Sequence, residues 1–255
     1  MLLKITESCS MGCTHCMNDS KPNGEDISLD ILEGALNFLV KNNIYHNIIL
    51  SGGEPTEHKN FVEVAERVIY RLKGERGFKT VTIATNGFWV VQNQEEAKRL
   101  VALSDLYTKV VFQVSTDSRF YPKKLDTTKR IWREDGFLLC KDCVKWVYPQ
   151  GRAKENGYDT PYKSSQCFNI RAVAKQLEEK DLCSVVRQLE SLGRICTPSI
   201  RVDGSIGLGE SDLCPNCANI YMNGEEIVQS IINFKCKGCY PLNENLPEIY
   251  KRFVE

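Results

Sequence analysis

Short apolar runs alternate with amphipathic segments along most of this chain. The apolar runs end in small or polar residues, which is typical of buried strands. The segments between them place apolar residues three and four positions apart, so they predict helices with one buried face, and Ser28 is a suitable N-cap for the first. The predicted strands are residues 2–6, 47–50, 80–84 and 109–115, and a fifth apolar segment lies around residues 137–148. The predicted helices are residues 29–42, 59–73, 93–103, 126–133 and 169–192, with a break near Asp181.

Strands that alternate with helices predict an α/β fold with a parallel sheet and the helices packed outside it. The pattern changes towards the C-terminus. Residues 195–208 alternate apolar and polar positions around an Asp-Gly pair, which predicts a β-hairpin, and residues 246–254 predict a short terminal helix. We therefore expect two units, a core over residues 1–190 and a small extension over residues 191–255.

Three cysteines directly after the first predicted strand have the spacing C-x3-C-x2-C: Cys9, Cys13 and Cys16. Thiolates this close together can hold a [4Fe–4S] cluster. Because such clusters usually have four cysteine ligands, a trio leaves one iron open to a small molecule. Zinc sites usually combine two C-x2-4-C pairs, and no such pair follows before Cys140. The spacing therefore favours a reactive iron–sulfur cluster over the alternatives, a partial zinc site or a coincidence.

Polar segments follow the next predicted strands. Ser51-Gly-Gly-Glu-Pro55 follows the second, Ala84-Thr-Asn-Gly87 ends the third and Gln113-Val-Ser-Thr-Asp117 ends the fourth. Ligands of parallel βα sheets lie at these carboxyl ends. Together with the cysteine loop, these segments resemble the radical S-adenosylmethionine (radical SAM) enzymes, and Gly151-Arg-Ala153 is a further match.

The resemblance implies both a fold and a chemistry. The fold is a partial (β/α)6 barrel, similar to a TIM barrel but only partly closed. The cysteine trio would hold a [4Fe–4S] cluster whose open iron binds S-adenosyl-L-methionine (SAM). One electron from the cluster would cleave SAM reductively, and the resulting 5′-deoxyadenosyl radical would abstract hydrogen from a substrate. The cofactors carry this chemistry, and the protein positions them and excludes water.

The glycine-rich segment after the second strand is the first candidate for SAM binding. By the resemblance, Gly52, Gly53, Glu54 and Pro55 would contact the methionine amino group. The physical reason is that glycines let a backbone approach a ligand closely, while a carboxylate accepts hydrogen bonds from a cationic amine. An ordinary strand-to-helix turn is the alternative.

Five further residues are candidates for the rest of SAM. By the resemblance, Ser115, Asp117 and Asn86 would bind the ribose hydroxyls, His15 would lie near the adenine, and Arg152 would be a carboxylate partner. Each has a simpler interpretation as a polar strand end, a loop histidine or a solvated arginine. No catalytic side chain is assigned beyond the cluster ligands.

Five late cysteines lie around the predicted hairpin: Cys196, Cys214, Cys217, Cys236 and Cys239. Their layout resembles the Twitch module, the shorter relative of SPASM, in which four cysteines around a hairpin hold a second [4Fe–4S] cluster. In that arrangement Cys217 could replace Cys214. A structural zinc site is the alternative, because the pairs 214/217 and 236/239 have a ribbon-like spacing.

The composition and charge of the chain indicate its class, its partners and its compartment. The 255 residues are 42% hydrophobic with zero formal net charge, so a globular core is expected and a nucleic-acid partner is disfavoured. With no signal peptide or apolar run of membrane-spanning length, we expect a cytoplasmic protein with reduced cysteines. Four cysteines lie outside the two sites: Cys140, Cys143, Cys167 and Cys183. They could form a further metal site, but packing as small apolar residues is the simpler interpretation.

The expected function is that of a radical SAM enzyme acting on a small molecule or a peptide. An auxiliary cluster could accept the electron left on a substrate radical, which favours oxidation (dehydrogenation) or crosslinking. The resemblance also implies an external one-electron donor such as flavodoxin or ferredoxin. The chain's compactness, without room for an N-terminal peptide-recognition domain, favours a small substrate. The alternative is a non-catalytic iron–sulfur or zinc protein for electron transfer or partner binding.

Overall fold

The fold contains one mixed eight-stranded sheet with helices packed against it. In this computed structural model, the described residues are 1–116, 119–141, 147, 150–158, 177–191, 198–209, 214 and 216–233. The order of the strands across the sheet is β5-β4-β3-β2-β1-β6-β7-β8, so among the described residues β5 and β8 are its two edges and the sheet does not close into a barrel. This confirms the predicted α/β class and its open character.

Five parallel strands form the first half of the sheet and pair in chain order from β1 to β5. The alternation of buried and half-buried residues along β3 is the period of two that a sheet face imposes. The four predicted strands are confirmed, three of them one or two residues longer than the sequence pattern indicated, and the first four residues of the fifth apolar segment form a fifth strand. The strands are β1 (Leu2–Thr6), β2 (Asn47–Gly52), β3 (Lys79–Thr85), β4 (Thr108–Ser115) and β5 (Phe137–Cys140).

The predicted helices over residues 29–42, 59–73 and 93–103 are confirmed, the one over 126–133 is not, and residues 169–176 of the one over 169–192 lie outside the described residues. Ser28 caps α1 as predicted, accepting a hydrogen bond from the Ile31 amide at 3.2 Å, and α6 begins just after Asp181, where the break was expected. The helices are α1 (Leu29–Lys41), α2 (Phe61–Lys73), α3 (Phe88–Gln92), α4 (Gln94–Ala102), α5 (Gly151–Glu155), α6 (Leu182–Ser191) and α7 (Gly224–Ile232), with 3-10 turns at Pro55–Glu57 and Arg130–Arg133. The sequence pattern did not indicate α3, α5 or α7.

The prediction of a helix over residues 126–133 was wrong, because only Arg130–Arg133 forms a 3-10 turn. The Asp126 carboxylate accepts a hydrogen bond from the Thr128 amide at 3.0 Å, which closes a local turn. The Trp132 indole donates to the Asp126 carbonyl at 2.8 Å. Such local side-chain bonds offer the backbone an alternative to a helix.

The predicted hairpin is present and extends the same sheet. β6 (Pro198–Ile200) pairs with β1 in parallel and with β7 (Ser205–Leu208) antiparallel, and β8 (Asn216–Asn219) follows β7 antiparallel. The Asp203 carboxylate accepts from the Ser205 amide at 2.9 Å and shapes the turn. The predicted terminal helix at 246–254 lies outside the described residues.

One apolar cluster joins the strands to α1, α2 and α6 and supports the carboxyl ends of β1 to β4. Leu3, Leu36, Leu50 and Val64 are fully buried in it, and each such side chain stabilises the fold by about 1.5–3 kcal/mol. Within the described parts of the chain, the helices lack the length and apolar character that crossing a lipid bilayer requires.

Candidate functional site

The loop after β1 carries the cysteine trio and is fixed to neighbouring backbone at its beginning. The Cys9 amide donates to the Lys21 carbonyl at 3.0 Å, which closes the loop on itself. The Glu57 carboxylate accepts from both the amide and the hydroxyl of Ser10, at 2.9 and 2.8 Å. The loop is therefore tied to the turn after β2, where the glycine-rich segment lies.

The three cysteine thiols are half-buried and lie close enough to affect one another. Burial raises the pKa of Cys13 to about 12, and the charges of Cys9 and Cys16 add to that rise. Burial likewise raises the pKa of Cys9 to about 11. Three thiolates in this setting need a positive partner, which a bound iron–sulfur cluster supplies.

The three cysteine thiols are suitable ligands for an iron–sulfur cluster, but they must come closer together to hold one. Among the described residues, no three Cys, His, Asp or Glu side chains are already gathered as the ligands of a metal ion. A glycine within the trio, Gly12, has a positive φ of 68°, and no atom of the part of the chain that the structure describes lies within 4 Å of where its Cβ would be. The loop thus has room to adjust around a cluster.

The two glycines after β2 allow a backbone contact that the sequence did not indicate. A Cβ on Gly52 would lie 2.0 Å from the Thr6 carbonyl oxygen, and one on Gly53 would lie 2.4 Å from the Ser8 carbonyl oxygen. The Gly53 and Glu54 amides donate to these same two oxygens, at 2.8 and 2.7 Å. The glycines therefore let this segment press directly against the start of the cysteine loop.

Glu54 presents a buried carboxylate beside the loop. The side chain is 4% exposed. Its Oε1 accepts from the hydroxyls of Thr85 and Thr56 at 2.6 and 2.7 Å, and its Oε2 accepts from the Asn86 amide at 2.7 Å. Burial raises the pKa of Glu54 above its ordinary value, and these hydrogen bonds oppose the rise. The carboxylate is therefore held in one orientation.

A cavity of about 410 Å³ opens beside Glu54 and the cysteine loop. Its size lies in the range of small-molecule sites. Charges of both signs line it, because the carboxylates of Glu54 and Glu57 lie on its wall together with Lys123. The remaining lining residues are Ser10, Met11, Thr56, Asn86, Phe88, Trp89 and Gln92. A zwitterion with an apolar part fits such a wall.

The ribose candidates reach different places. Asn86 lines the cavity, and its side-chain oxygen accepts from the Phe88 amide at 3.1 Å. Ser115 accepts a hydrogen bond from the Tyr121 hydroxyl at 2.5 Å and is not part of the cavity wall. Asp117 lies outside the described residues. Asn86 is thus the ribose candidate with a place in this cavity.

His15 belongs to an aromatic cluster that the sequence analysis missed. Its ring centroid lies 4.5 Å from that of Phe120 and 5.7 Å from that of Tyr121. Phe120 also contacts Tyr158, with ring centroids 5.6 Å apart. The adjacent Phe120 and Tyr121 in the sequence were the available signal. This cluster forms an apolar face next to the loop that carries the cysteines.

Arg152 contacts the cysteine loop directly. Its guanidinium donates to the carbonyls of Cys13 and Ser20 at 3.1 and 2.9 Å and forms an ion pair with Asp19 at 3.0 Å. The carboxylate that it meets in this structure is therefore that of Asp19. Gly151, just before it, has a φ of +50°, and a Cβ there would lie 2.6 Å from the Met17 carbonyl oxygen.

Two of the five late cysteines fall within the described residues. Cys214 and Cys217 are half-buried. The Cys217 thiol donates to the Ile206 carbonyl at 3.4 Å, and burial raises the pKa of this thiol to about 12. Cys196, Cys236 and Cys239 lie outside the described residues, so the auxiliary site stays a prediction.

Of the other four cysteines, two fall within the described residues and two do not. Cys143 and Cys167 lie outside the described residues. Cys140 ends β5, and Cys183, at the start of α6, donates a hydrogen bond to the Asn43 carbonyl at 3.2 Å. The Cys183 contact is that of a reduced thiol at an element boundary.

Comparison with known proteins identifies the family. The sequence model described as "Radical SAM superfamily" matches residues 3–143, more than half of the chain. The chain belongs to the radical SAM superfamily. Membership implies a [4Fe–4S] cluster and SAM as cofactors, and SAM cleavage by reduction as the chemistry. The matched residues contain the cysteine trio, the glycine-rich segment and the carboxyl ends of β1 to β5.

Curated relatives match a limited part of the chain. A GTP 3′,8-cyclase of Haemophilus influenzae (strain PittEE) is 26% identical over 136 residues, covering 46% of this chain and 36% of the relative. A GTP 3′,8-cyclase of Actinobacillus succinogenes is 23% identical over 128 residues, covering 46% and 37%. The chain thus spans little more than a third of the length of these relatives.

Solved structures resemble the fold over nearly the whole chain. BtrN in complex with AdoMet and 2-DOIA has a TM-score of 0.58 at 11% identity, covering 99% of this chain and 84% of that one. The protein anSMEcpe with bound AdoMet and Cp18Cys peptide has a TM-score of 0.52 at 15% identity, covering 89% and 79%. At these identities the likeness concerns the fold, a partial barrel of the radical SAM type.

Proposed function

We propose that Cys9, Cys13 and Cys16 hold the [4Fe–4S] cluster and that the methionine part of SAM occupies the cavity beside them. Glu54 carries this proposal, because it is a buried carboxylate on the cavity wall and its segment packs on the start of the cysteine loop. When bound, cluster and SAM supply a 5′-deoxyadenosyl radical that abstracts a hydrogen atom from the substrate.

The role of Glu54 in this proposal is to accept hydrogen bonds from the SAM amino group. Threonine hydroxyls and a backbone amide already orient its carboxylate. A cationic amine would offset the cost of burying this charge, which is the condition under which a buried carboxylate is stable. Lys123 on the same wall carries the opposite charge and suits the SAM carboxylate.

We propose the remaining SAM contacts from where each residue lies relative to the cavity and to the ends of the strands. Gly52, Gly53 and Pro55 belong to the segment that places Glu54, and Asn86 reaches the cavity. Ser115 and Asp117 end β4 or follow it, where the ribose would lie if the nucleoside extends across the strand ends. The aromatic face around His15 offers an apolar surface for the adenine. These contacts would orient SAM and exclude water from it.

For the substrate we propose a small molecule or a peptide, with oxidation or crosslinking as the outcome. BtrN, a structural neighbour, is described with AdoMet and 2-DOIA, and anSMEcpe with a peptide. A GTP 3′,8-cyclase is the activity named for the sequence relatives, so GTP belongs among the compounds to be tested. An external one-electron donor, such as flavodoxin or ferredoxin, would reduce the cluster.

The second unit, residues 191–255, is proposed to carry an auxiliary [4Fe–4S] cluster, with zinc as the alternative. Cys214 and Cys217 flank the start of β8, beside the hairpin that extends the sheet. The other proposed ligands are Cys196, Cys236 and Cys239. Iron and zinc contents of a variant that lacks the first cysteine trio test this assignment, since any metal that remains must have other ligands.

A non-catalytic electron carrier is the competing function. Such a protein needs a cluster but no pocket for an amine, whereas Glu54 is a buried acceptor on a cavity wall next to the cysteine loop. The two functions therefore differ in whether SAM binds. This difference can be measured without knowing the substrate.

The test is the affinity for SAM of the reconstituted protein with Glu54→Gln. A hydrogen bond to a charged group contributes about 1.5–3 kcal/mol, so we expect the Kd for SAM to rise roughly 10- to 100-fold. The matched control is Glu95→Gln, because the Glu95 side chain is 91% exposed. Equal affinities in all three proteins, or no SAM binding by the wild type, would contradict the proposal.

A further inference from the structure

A short segment after β5 packs along the cysteine loop. This segment, residues 150–158, includes α5. The Ala153 amide donates to the Cys16 carbonyl at 3.2 Å, and the Asn156 side chain donates to the Thr14 carbonyl at 2.9 Å. The hydroxyls of Thr14 and Tyr158 lie 3.0 Å apart. The second half of the loop is thus held by this segment, and also by Phe120, whose carbonyl accepts from the Thr14 amide at 3.1 Å.

Arg152 is the charged member of this segment. Its two Nη atoms donate to the carbonyls of Cys13 and Ser20, so one planar group links the middle of the loop to its end. The Arg152 side chain is 21% exposed, and the side chain of Asp19, which also forms an ion pair with the exposed Lys21 at 3.0 Å, is 26% exposed. Water therefore screens this pair only in part, and its field reaches the nearby thiolates.

We propose that Arg152 and Asp19 are positioning residues that set the reduction potential of the cluster at Cys9, Cys13 and Cys16. This inference rests on the proposed function, because it takes that trio as the cluster ligands. A cation beside a cluster stabilises the reduced state, which carries one more negative charge, and so raises the potential. The Asp19 carboxylate partly offsets this effect.

The charge pair predicts shifts of opposite sign from two substitutions at neighbouring positions. Arg152→Gln removes the cation and is expected to move the midpoint potential to more negative values. Asp19→Asn removes the compensating anion and is expected to move it to more positive values. Asn suits the backbone here, because Asp19 has a positive φ of 51° and Asn tolerates that region.

Two further variants separate charge from scaffolding. Arg152→Lys keeps the cation, so its midpoint potential should lie closer to that of the wild type than the potential of Arg152→Gln does. Because a lysine cannot bridge both carbonyls, this variant should bind iron less well. Lys154→Gln is the matched control, because Lys154 lies on the same helix and has an exposed side chain. It loses the same charge away from the loop, and its potential should stay close to that of the wild type.

The experiment is a redox titration of the anaerobically reconstituted full chain, followed by electron paramagnetic resonance. The signal of this cluster is the one that changes when SAM is added and that disappears in the variant without the three cysteines. Opposite shifts in Arg152→Gln and Asp19→Asn, with little change in Lys154→Gln, are the expected result. Asp19→Asn keeps the Arg152–carbonyl bonds, so its shift is measurable even where Arg152→Gln loses its iron.

Two results would overturn the inference, and they are distinguishable. A wild-type chain without this signal would overturn the proposed cluster assignment and the inference with it. A normal wild-type signal, with Asp19→Asn unchanged or shifted to more negative values, would overturn the inference alone and leave the proposed function in place.

Discussion

At the residue scale, Glu54 shows how a short motif becomes a defined site. The sequence indicated a carboxylate acceptor next to two glycines. It could not indicate the donors that orient the carboxylate, because Thr85 and the Asn86 amide come from the end of a different strand. Nor could it show that the glycines serve close packing on β1. Both features depend on which strands are neighbours.

Thr85 gives a prediction at this scale. Thr85→Val removes the hydroxyl that donates to the buried Glu54 carboxylate and accepts from the Gly87 amide, so we expect the free energy of unfolding to fall by at least about 1.5–3 kcal/mol. Thr108→Val is the matched control, since the Thr108 hydroxyl is buried and finds no hydrogen-bond partner within the described ranges. It should be neutral or stabilising. Urea unfolding of the metal-free proteins measures both, and an equal loss in the two variants would contradict the assignment.

At the element scale, hydrophobic periodicity predicted the parallel strands and the helices that cover them. These elements bury one face each, and burial leaves a periodic signal in the sequence. Two of the three helices that the pattern did not indicate, α3 and α5, are short, with five residues each, whereas α7 has nine. The failed prediction near residue 130 has a comparable cause, because local hydrogen bonds of Asp126 outweighed a weak helical pattern.

Gly151 tests the role of α5 in holding the cysteine loop. Gly151→Ala would place a Cβ within 2.6 Å of the Met17 carbonyl oxygen, which is backbone and cannot turn away. We expect α5 to move off the loop and iron retention to fall after reconstitution and desalting.

Gly157 supplies the control for this prediction. It also has a positive φ, of 74°, but none of the described residues lies within 4 Å of an added Cβ. Both substitutions carry a similar backbone cost of about 1–2 kcal/mol, while Gly157→Ala should keep its iron. Equal iron contents in the two variants would show that α5 does not brace the loop.

At the scale of the whole molecule, strand order brings the proposed cofactor residues together. β1 lies between β2 and β6, so the cysteine loop leaves the sheet beside both the glycine-rich segment and the C-terminal hairpin. The sequence predicted each of these parts. It did not predict that the hairpin would extend the sheet next to β1, because pairing between distant strands leaves no local pattern.

The variant Cys9→Ala, Cys13→Ala, Cys16→Ala separates the two proposed metal sites. After anaerobic reconstitution we expect it to retain about four irons per chain, the content of one [4Fe–4S] cluster. Retained zinc without iron would favour the structural zinc alternative. Loss of all metal would contradict a second site.

The central claim is that the cysteine loop and the Glu54 cavity together support reductive cleavage of SAM. The most direct measurement is release of 5′-deoxyadenosine from the anaerobically reconstituted, chemically reduced protein, compared with the variant lacking the three cysteines. We expect release from the wild type and none from the variant. A wild-type protein with a reduced first cluster that releases none, with or without candidate substrates, would contradict it.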